Sequence, residues 1–501
     1  MTDGWDGWVG LAGNGGMGVS FVGALLTNSG TISGGAGGDS GSVTDGWGGL
    51  AGNGGIGVSF VGDSLTNTGA ISGGAGGNGG SGAENQAGDG GVGISMAAGS
   101  LTNMNSITGG SGGTAAGGDS VYAAGGVGIV GSDLHVINSG MISGGLAGDG
   151  ATRANAVAFT SGSNRLELQA GSTIIGNVVA GGGNNVLALG GAVDATFDVS
   201  GMGTGLQYQG FTDFEKTGAS TWTLEGDGSG FAGDTVIAAG TMIVGSDTAD
   251  AVLGGSFAVQ AGATLGGSGT LGSGAGSTVT IARGGTIAPG NSIGTLTVDG
   301  DIIFASGSVI EAEINPALES DLIDASGAAT IHGGTVHALK ASGVYTPGSR
   351  WTIIAADGGV TGTFDELTQN MPFIDLSLAY AANNVYIDAT RNQVAFCDVA
   401  ATLNQCSTGD GLETTGAGSP VYDAVAALAD EYSARRALDA LSGEIHASAM
   451  TALIEDSRFV RDAVNNRVRA AFGDVAAPMP IMAYGPGGTE IAPGATESFA
   501  A

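Results

Sequence analysis

The chain has 501 residues, of which 102 are Gly and nine are Pro, while 42% are hydrophobic and the formal net charge is -33. So much apolar content excludes a disordered Gly/Ser linker, and so little Pro excludes collagen and polyproline. A surface this acidic repels phosphate backbones and anionic membranes, so no nucleic-acid partner is expected.

Residues 1–150 repeat one unit four times. Asn28-Ser29-Gly30-Thr31-Ile32-Ser33-Gly34-Gly35 recurs from Asn67, more loosely from Asn103, and from Asn138, at spacings of 39, 36 and 35. Val19 and Phe21, Val58 and Phe60, and Ile94 and Met96 alternate with small or polar residues. That is the period of a half-buried strand. Each unit is expected to make two coils of a β-solenoid, roughly 18 to 20 residues each. The recurring Asn either stacks as an internal amide ladder or is a turn residue tolerating a left-handed backbone. Residues 151–250 keep the texture without the repeat. Leu166-Glu167-Leu168 and Val186-Leu187-Ala188-Leu189 read as short strands, and Phe214-Glu215-Lys216-Thr217-Gly218 with Thr221-Trp222-Thr223-Leu224 reads as one further coil.

Residues 251–340 are the most regular. Short apolar runs alternate with turns through Gly285, Pro289, Gly290, Asn291, Ser292 and Gly294. A chain written this way stacks strand on strand, each coil meeting only its neighbours. Residues 341–395 hold denser, more aromatic strands around Trp351, Phe373 and Tyr386, the expected cap over the last open coil. Residues 1–395 would then make roughly 20 coils at a ~4.8 Å rise. Residues 396–418 are a loop with the chain's two cysteines, Cys397 and Cys406. A disulfide between them suits an oxidising compartment, and two free thiols are the alternative. Residues 419–472 switch to helix, with Ser419 as N-cap, Pro420 in the first turn and Gly443 as a break. Residues 473–501, rich in Pro, Gly and Ala, are expected to be disordered.

The stretch from Gly285 to Gly294, with Gly262-Ala263-Thr264-Leu265-Gly266 before it and Asp321-Leu322-Ile323 after it, resembles the passenger-associated repeat of bacterial autotransporters (type V secretion). Glu455-Asp456-Ser457-Arg458-Phe459-Val460-Arg461 resembles the linker that threads the pore of their outer-membrane barrel. The resemblance implies an all-β chain, a right-handed parallel β-helix followed by a helical linker. It implies export to the outer membrane, the cell surface or the medium, with an outer-membrane β-barrel as partner. Arg458, Arg461, Arg467 and Arg469 would line the pore. Their other reading is a solvated face with neighbours such as Asp462. Met1-Thr2-Asp3-Gly4-Trp5 lacks the basic start and apolar core of a signal peptide, and no barrel strands follow, so a passenger truncated at both ends is expected.

Catalytic motifs are present but isolated. Gly38-Asp39-Ser40-Gly41-Ser42 matches the nucleophile motif of chymotrypsin-like proteases, and Gly62-Asp63-Ser64-Leu65 that of GDSL esterases. Neither has its histidine partner where the mechanism places it. Gly34 to Asp39 matches half of a calcium nonapeptide, without the tandem copies such a site shares. Glu311 and Glu313 fall on one strand face, which needs a pocket before it can do acid-base work. The expectation is therefore a non-enzymatic passenger with no catalytic residue, cofactor or metal. It would be an adhesin or aggregation factor, associated with virulence, touching host glycans, matrix proteins or copies of itself. Two alternatives remain: an enzymatic passenger with its catalytic domain upstream, and an inactive remnant.

Overall fold

The computed structural model describes residues 11–42, 49–81, 85–115 and 122–472. They divide into two units, Met1–Asn392 and Gln393–Ala501.

The first unit is a parallel β-helix. Among the described residues its strands form sheets of seven, thirteen, five and fifteen. The thirteen-stranded sheet takes one strand from every turn, from Leu25–Asn28 to Val360–Gly362. Alternation does what period two requires. In Gly99–Asn103, Leu101 and Asn103 point inward and are buried, while Ser100 and Thr102 are half-exposed. Each buried side chain sits on its counterpart one turn away: Leu65 on Leu101, Leu101 on Val136, Val136 on Leu166.

The repeat of residues 1–150 corrects the expected coil length. Asn28 and Asn67 are hydrogen-bonded neighbours in one stack although 39 residues apart. One repeat is therefore one turn, not two, and the described residues make thirteen turns where twenty were expected. The extra length lies in glycine. Each turn carries three short strands and then runs out and back through two Gly-rich segments that form no named strand. These segments bond to each other in a zigzag. Gly35 N donates to Gly16 O (2.7 Å), Gly55 N to Gly35 O (2.8 Å), Gly74 N to Gly55 O (2.8 Å) and Gly91 N to Gly74 O (2.8 Å). Gly110, Gly126 and Gly145 continue the column, each donating at 2.8 Å. A Cβ on Gly74 would stand 1.9 Å from Gly35 O. Backbones this close admit only hydrogen as a side chain. The inward glycines recur about every third residue, the period of a threefold extended chain. Farther along, where Asn164 stacks on Asn185, the turn has shortened to 21 residues and the glycine column is gone.

The recurring Asn is a ladder. Asn28 Nδ2 donates to Asn67 Oδ1 (2.8 Å), Asn67 Nδ2 to Asn103 Oδ1 (2.8 Å) and Asn103 Nδ2 to Asn138 Oδ1 (2.7 Å). Each amide bonds its copy, so the ladder fixes register from turn to turn.

At the C-terminal end of this unit the pairing turns antiparallel. Asn384–Arg391 lies between Arg350–Ala356 and Ile374–Tyr380. Trp351 and Tyr345 are buried beneath, with Trp351 Nε1 on Asn315 O (2.9 Å) and Tyr345 Oη on Ile314 O (2.9 Å).

The second unit is helical. A 3-10 turn Phe396–Val399 leads into α1 (Leu403–Glu413), α2 (Pro420–Ala426), α3 (Glu431–Leu441) and α4 (Glu444–Ala471). The segment expected to be a loop holds α1, started by a capping box in which Thr402 and Gln405 satisfy each other's backbone. Gly443 breaks the helices at φ 68°. The segment 473–501, expected to be disordered, lies outside the described residues.

Candidate functional site

The turn through Gly290 and Ser292 borders a groove of about 250 Å³. Glu311, Glu313 and Asp321 lie in its wall, with Thr241, Thr264 and Asn291 beside them. The pocket that Glu311 and Glu313 needed therefore exists. Val309–Ile314 exposes both on one face, and the turn brings Asp321 beside them. Asp321 is 3% exposed. Its Oδ1 accepts Gly294 N (3.0 Å) and its Oδ2 accepts Glu313 N (2.8 Å). This carboxylate locks the turn to the adjacent strand. Burial pushes it up to about 7, against the pull of the two N–H donors, and nearby Glu313 adds to the rise. Asn291 Nδ2 reaches back to Gly245 O (3.3 Å) and Ser268 Oγ (3.2 Å). Gly290 takes φ 80° to turn the chain. Gly285 precedes the strand Thr286–Pro289, Pro289 is its last residue, and Gly294 supplies the N–H that Asp321 holds.

The lock has a pH sign. Asp321 binds its proton more tightly folded than unfolded, so its contribution is full below about pH 4 and is lost as pH rises through about 7. Each unit of pKa shift is worth about 1.4 kcal/mol. Asp321→Asn is expected to flatten the fall in unfolding free energy between pH 5 and 8 relative to the parent. Parallel urea titrations at the two pH values check it, and equal slopes would remove the assignment.

The two serine motifs have structural roles. Ser40 is buried and its Oγ accepts Gly80 N (2.7 Å), while Asp39 Oδ1 accepts Asn78 N (2.6 Å). Ser64 stands in a different stack, which the sequence alone did not reveal. Ser64, Ser100, His135 and Arg165 occupy one column in register on successive turns. His135 Nε2 is buried with no hydrogen-bond partner among the described residues. Burial, then Arg165, pushes the imidazole down and keeps it neutral. Arg165 is itself held by Glu167 (3.4 Å) and Glu215.

Lys216 is 0% exposed. Its Nζ donates to Thr217 O (2.7 Å), Gly218 O (3.0 Å) and Ala239 O (3.1 Å), so all three protons have an acceptor. Burial pushes this amine down to about 8.

Residues 214–244, the coil built on Lys216, match the Passenger-associated-transport-repeat family. This stretch is thus similar to the repeat of autotransporter passengers. An extracellular serine protease of Serratia marcescens is 29% identical over 326 residues, covering 55% of this chain and 29% of that protein. A second extracellular serine protease of the same organism is 25% identical over 234 residues, covering 37% of this chain and 22% of that protein. The matches thus span less than a third of these relatives. They correct the expectation of a non-enzymatic passenger, because both are named for proteolysis. The family model falls upstream of the Gly285 to Gly294 motif, on the coil where Lys216 supplies a feature that composition hides.

Cys397 and Cys406 are joined by a disulfide between the 3-10 turn and α1. Asp410 stands near both sulfurs, but bonded sulfurs offer no thiolate to a metal. Closing a loop this short is worth about 2–3 kcal/mol. Cys397→Ser is expected to lower the thermal midpoint of the helical signal by several degrees, and dithiothreitol is expected to do the same to the parent chain. Circular dichroism at 222 nm reads both, and a variant still sensitive to dithiothreitol would contradict it.

The 28-residue α4 has no buried residue. Ile445, Leu453, Phe459 and Val460 are 74%, 68%, 69% and 66% exposed. Arg458 pairs with Glu455 (3.6 Å). Arg461, Arg467 and Arg469 share the exposed helix, and among the described residues no ion pair reaches them. Among those residues no helix is long and apolar enough to cross a membrane.

Proposed function

We propose that this chain is the β-helical stem of an exported passenger, and that α4 is the segment that occupies the pore of an outer-membrane barrel. The single observation that supports it is the order of parts. Parallel coils end in antiparallel strands, and a 28-residue helix with apolar and basic side chains but no buried residue follows in the chain. Apolar side chains left in water across a whole helix need a partner, and Arg461, Arg467 and Arg469 suit the polar interior of a barrel. Stacking of coils buries surface step by step, which would draw the chain outward without ATP. The names of the relatives support a proteolytic passenger, with this stem carrying or adjoining the protease.

The test places the chain between an export signal and an outer-membrane barrel in a bacterial host. Protease added to intact cells is expected to reach the coils, and Arg461→Glu with Arg467→Glu to reduce the exposed fraction. Coils that become accessible only after the outer membrane is permeabilised would end the proposal. A fluorophosphonate probe on the purified chain then separates a stem from a protease: labelling of a serine in the chain places catalysis within it.

Adhesion is a second reading, supported by the hydroxyl ladders on the outer faces. Ser72 Oγ bonds Ser33 Oγ (3.0 Å) one turn away, and Thr66 lies in register with Thr102. Such a repetitive face suits host glycans, matrix proteins or a second copy. A chain that binds no immobilised glycan or matrix protein and stays monomeric would remove it.

A further inference from the structure

The seven-stranded sheet stops at Tyr208–Gln209. The chain next passes that place as 230–233, without a strand. The step leaves a groove of about 450 Å³ walled by Met202, Tyr208, Phe211 and Phe231, with Thr204 and Thr212 at its rim and glycines and an alanine completing it. No charged side chain is part of this wall among the described residues, although the chain carries -33. Phe231 and Met202 are 6% and 4% exposed. Tyr208 is 8% exposed, its ring leaning on Phe197 at 5.5 Å.

The Tyr208 hydroxyl makes no hydrogen bond among the described residues. It is also not among their fully enclosed unpaired atoms, so it opens on the groove. Water can serve this hydroxyl at the mouth of the groove, and a ligand acceptor would take the water's place. Burial pushes it up to about 12, so it stays protonated and keeps a proton to donate to a ligand acceptor. A neutral, aromatic-walled cleft with one convergent polar group is how proteins hold small apolar groups.

We propose that this groove binds a neutral aromatic ring bearing an adjacent carbonyl, with the ring packed between Phe211 and Phe231 and the carbonyl accepting the Tyr208 hydroxyl. The uncharged wall favours a neutral group, because an ion there would lose hydration without gaining a partner. Ring contacts of this kind prefer tilted or offset geometry. The aromatics already in place show it: Phe214 and Phe231 meet at 6.4 Å and 71°.

Gly230 allows a clean test. It lines the groove, and a Cβ there would meet nothing within 4 Å. Gly230→Trp should therefore fill the groove without disturbing the coil. Saturation-transfer NMR on the full chain would use N-acetyl-phenylalanine amide, benzamide and methyl glucoside as probes. Saturation is expected on the ring protons of the first two, to vanish in Gly230→Trp and to require about five-fold more ligand in Tyr208→Phe. Tighter binding of the amino-acid amide would identify a peptide-borne ring, and equal binding a free small molecule. No ring saturation, undiminished saturation in Gly230→Trp, or preference for the glucoside would overturn the site. Tyr208→Phe, which removes one oxygen and no packing atom, keeps the test valid should the tryptophan variant fold poorly.

Discussion

Gly74→Ala should cost about 3–5 kcal/mol, a large effect for one methyl group on an extended, strand-free segment. The reason is distance. The new Cβ would lie 1.9 Å from Gly35 O and 2.6 Å from Gly35 C, where van der Waals contact needs well over 3 Å. Neither neighbour can yield alone, because Gly35 N is bonded to Gly16 O and Gly74 N to Gly55 O. Relief requires parting the two segments and breaking the column on both sides. The matching control is Gly16→Ala, whose Cβ would meet nothing within 4 Å. It should be neutral or stabilise by up to about 1 kcal/mol, through lost freedom in the unfolded chain. Urea unfolding with hydrogen exchange resolved over 49–115 would read both. Because each turn leans only on its neighbours, lost protection should centre on the turns holding Gly35, Gly55 and Gly74 and leave the coils after Asn185 intact. Equal stability of the two variants would mean that the glycine column is not what holds these turns.

The sequence made the fold class legible and hid its dimensions. Val58 and Phe60, or Leu101 and Asn103, alternate by two, and that period survives into the structure because a strand has no other way to bury one face. The expected coil of 18 to 20 residues is the length of three short strands with tight turns, and the glycine segments that lengthen each turn carry no hydrophobic period. Between Ser33 and Val58 there is little apolar signal, yet Gly35 and Gly55 are hydrogen-bonded into the body of the helix. Periodicity in hydrophobic residues cannot report a core made of backbone. The spacing of Asn28, Asn67 and Asn103 was the better ruler, since a ladder needs one rung per turn. Sites fared differently. Glu311 and Glu313 were visible as a pair, but Asp321 joins them only because a turn folds back. Ser100 and His135 are 35 residues apart in sequence and adjacent in register, a meeting that follows from the true turn length and not from the expected one. Lys216 looked like an ordinary charge. Nothing in Phe-Glu-Lys-Thr-Gly announces that three carbonyls will surround the amine. The signal that could have found it is alternation: Phe214 and Lys216 share the inward face of Asp213–Lys216.

Asn103→Asp should be as damaging at neutral pH and progressively milder in acid. The two side chains are nearly the same size, so the change tests chemistry and not packing. Asn103 is 0% exposed. Its Oδ1 accepts from Asn67, and its Nδ2 serves Asn138 Oδ1 (2.7 Å), Met141 O (3.1 Å) and Asn105 O (3.3 Å). A carboxylate keeps the first contact and turns the other three into oxygen facing oxygen. It also buries a charge with no cation at hand, for a loss of about 3–5 kcal/mol. The variant relieves itself by holding a proton, so its folded pKa rises above the unfolded value. The native state then binds more protons than the unfolded chain, and stability falls as pH rises through that range. The difference between parent and variant should therefore be largest near pH 7.5 and shrink toward pH 4.5, where a protonated carboxyl restores one donor. Urea midpoints of both chains at the two pH values give the answer. The parent serves as reference because its own -33 charge also responds to acid. A pH-independent difference would mean that the amide rungs are bystanders to the stacked Leu65, Leu101 and Val136, and that apolar stacking alone sets the register of these turns.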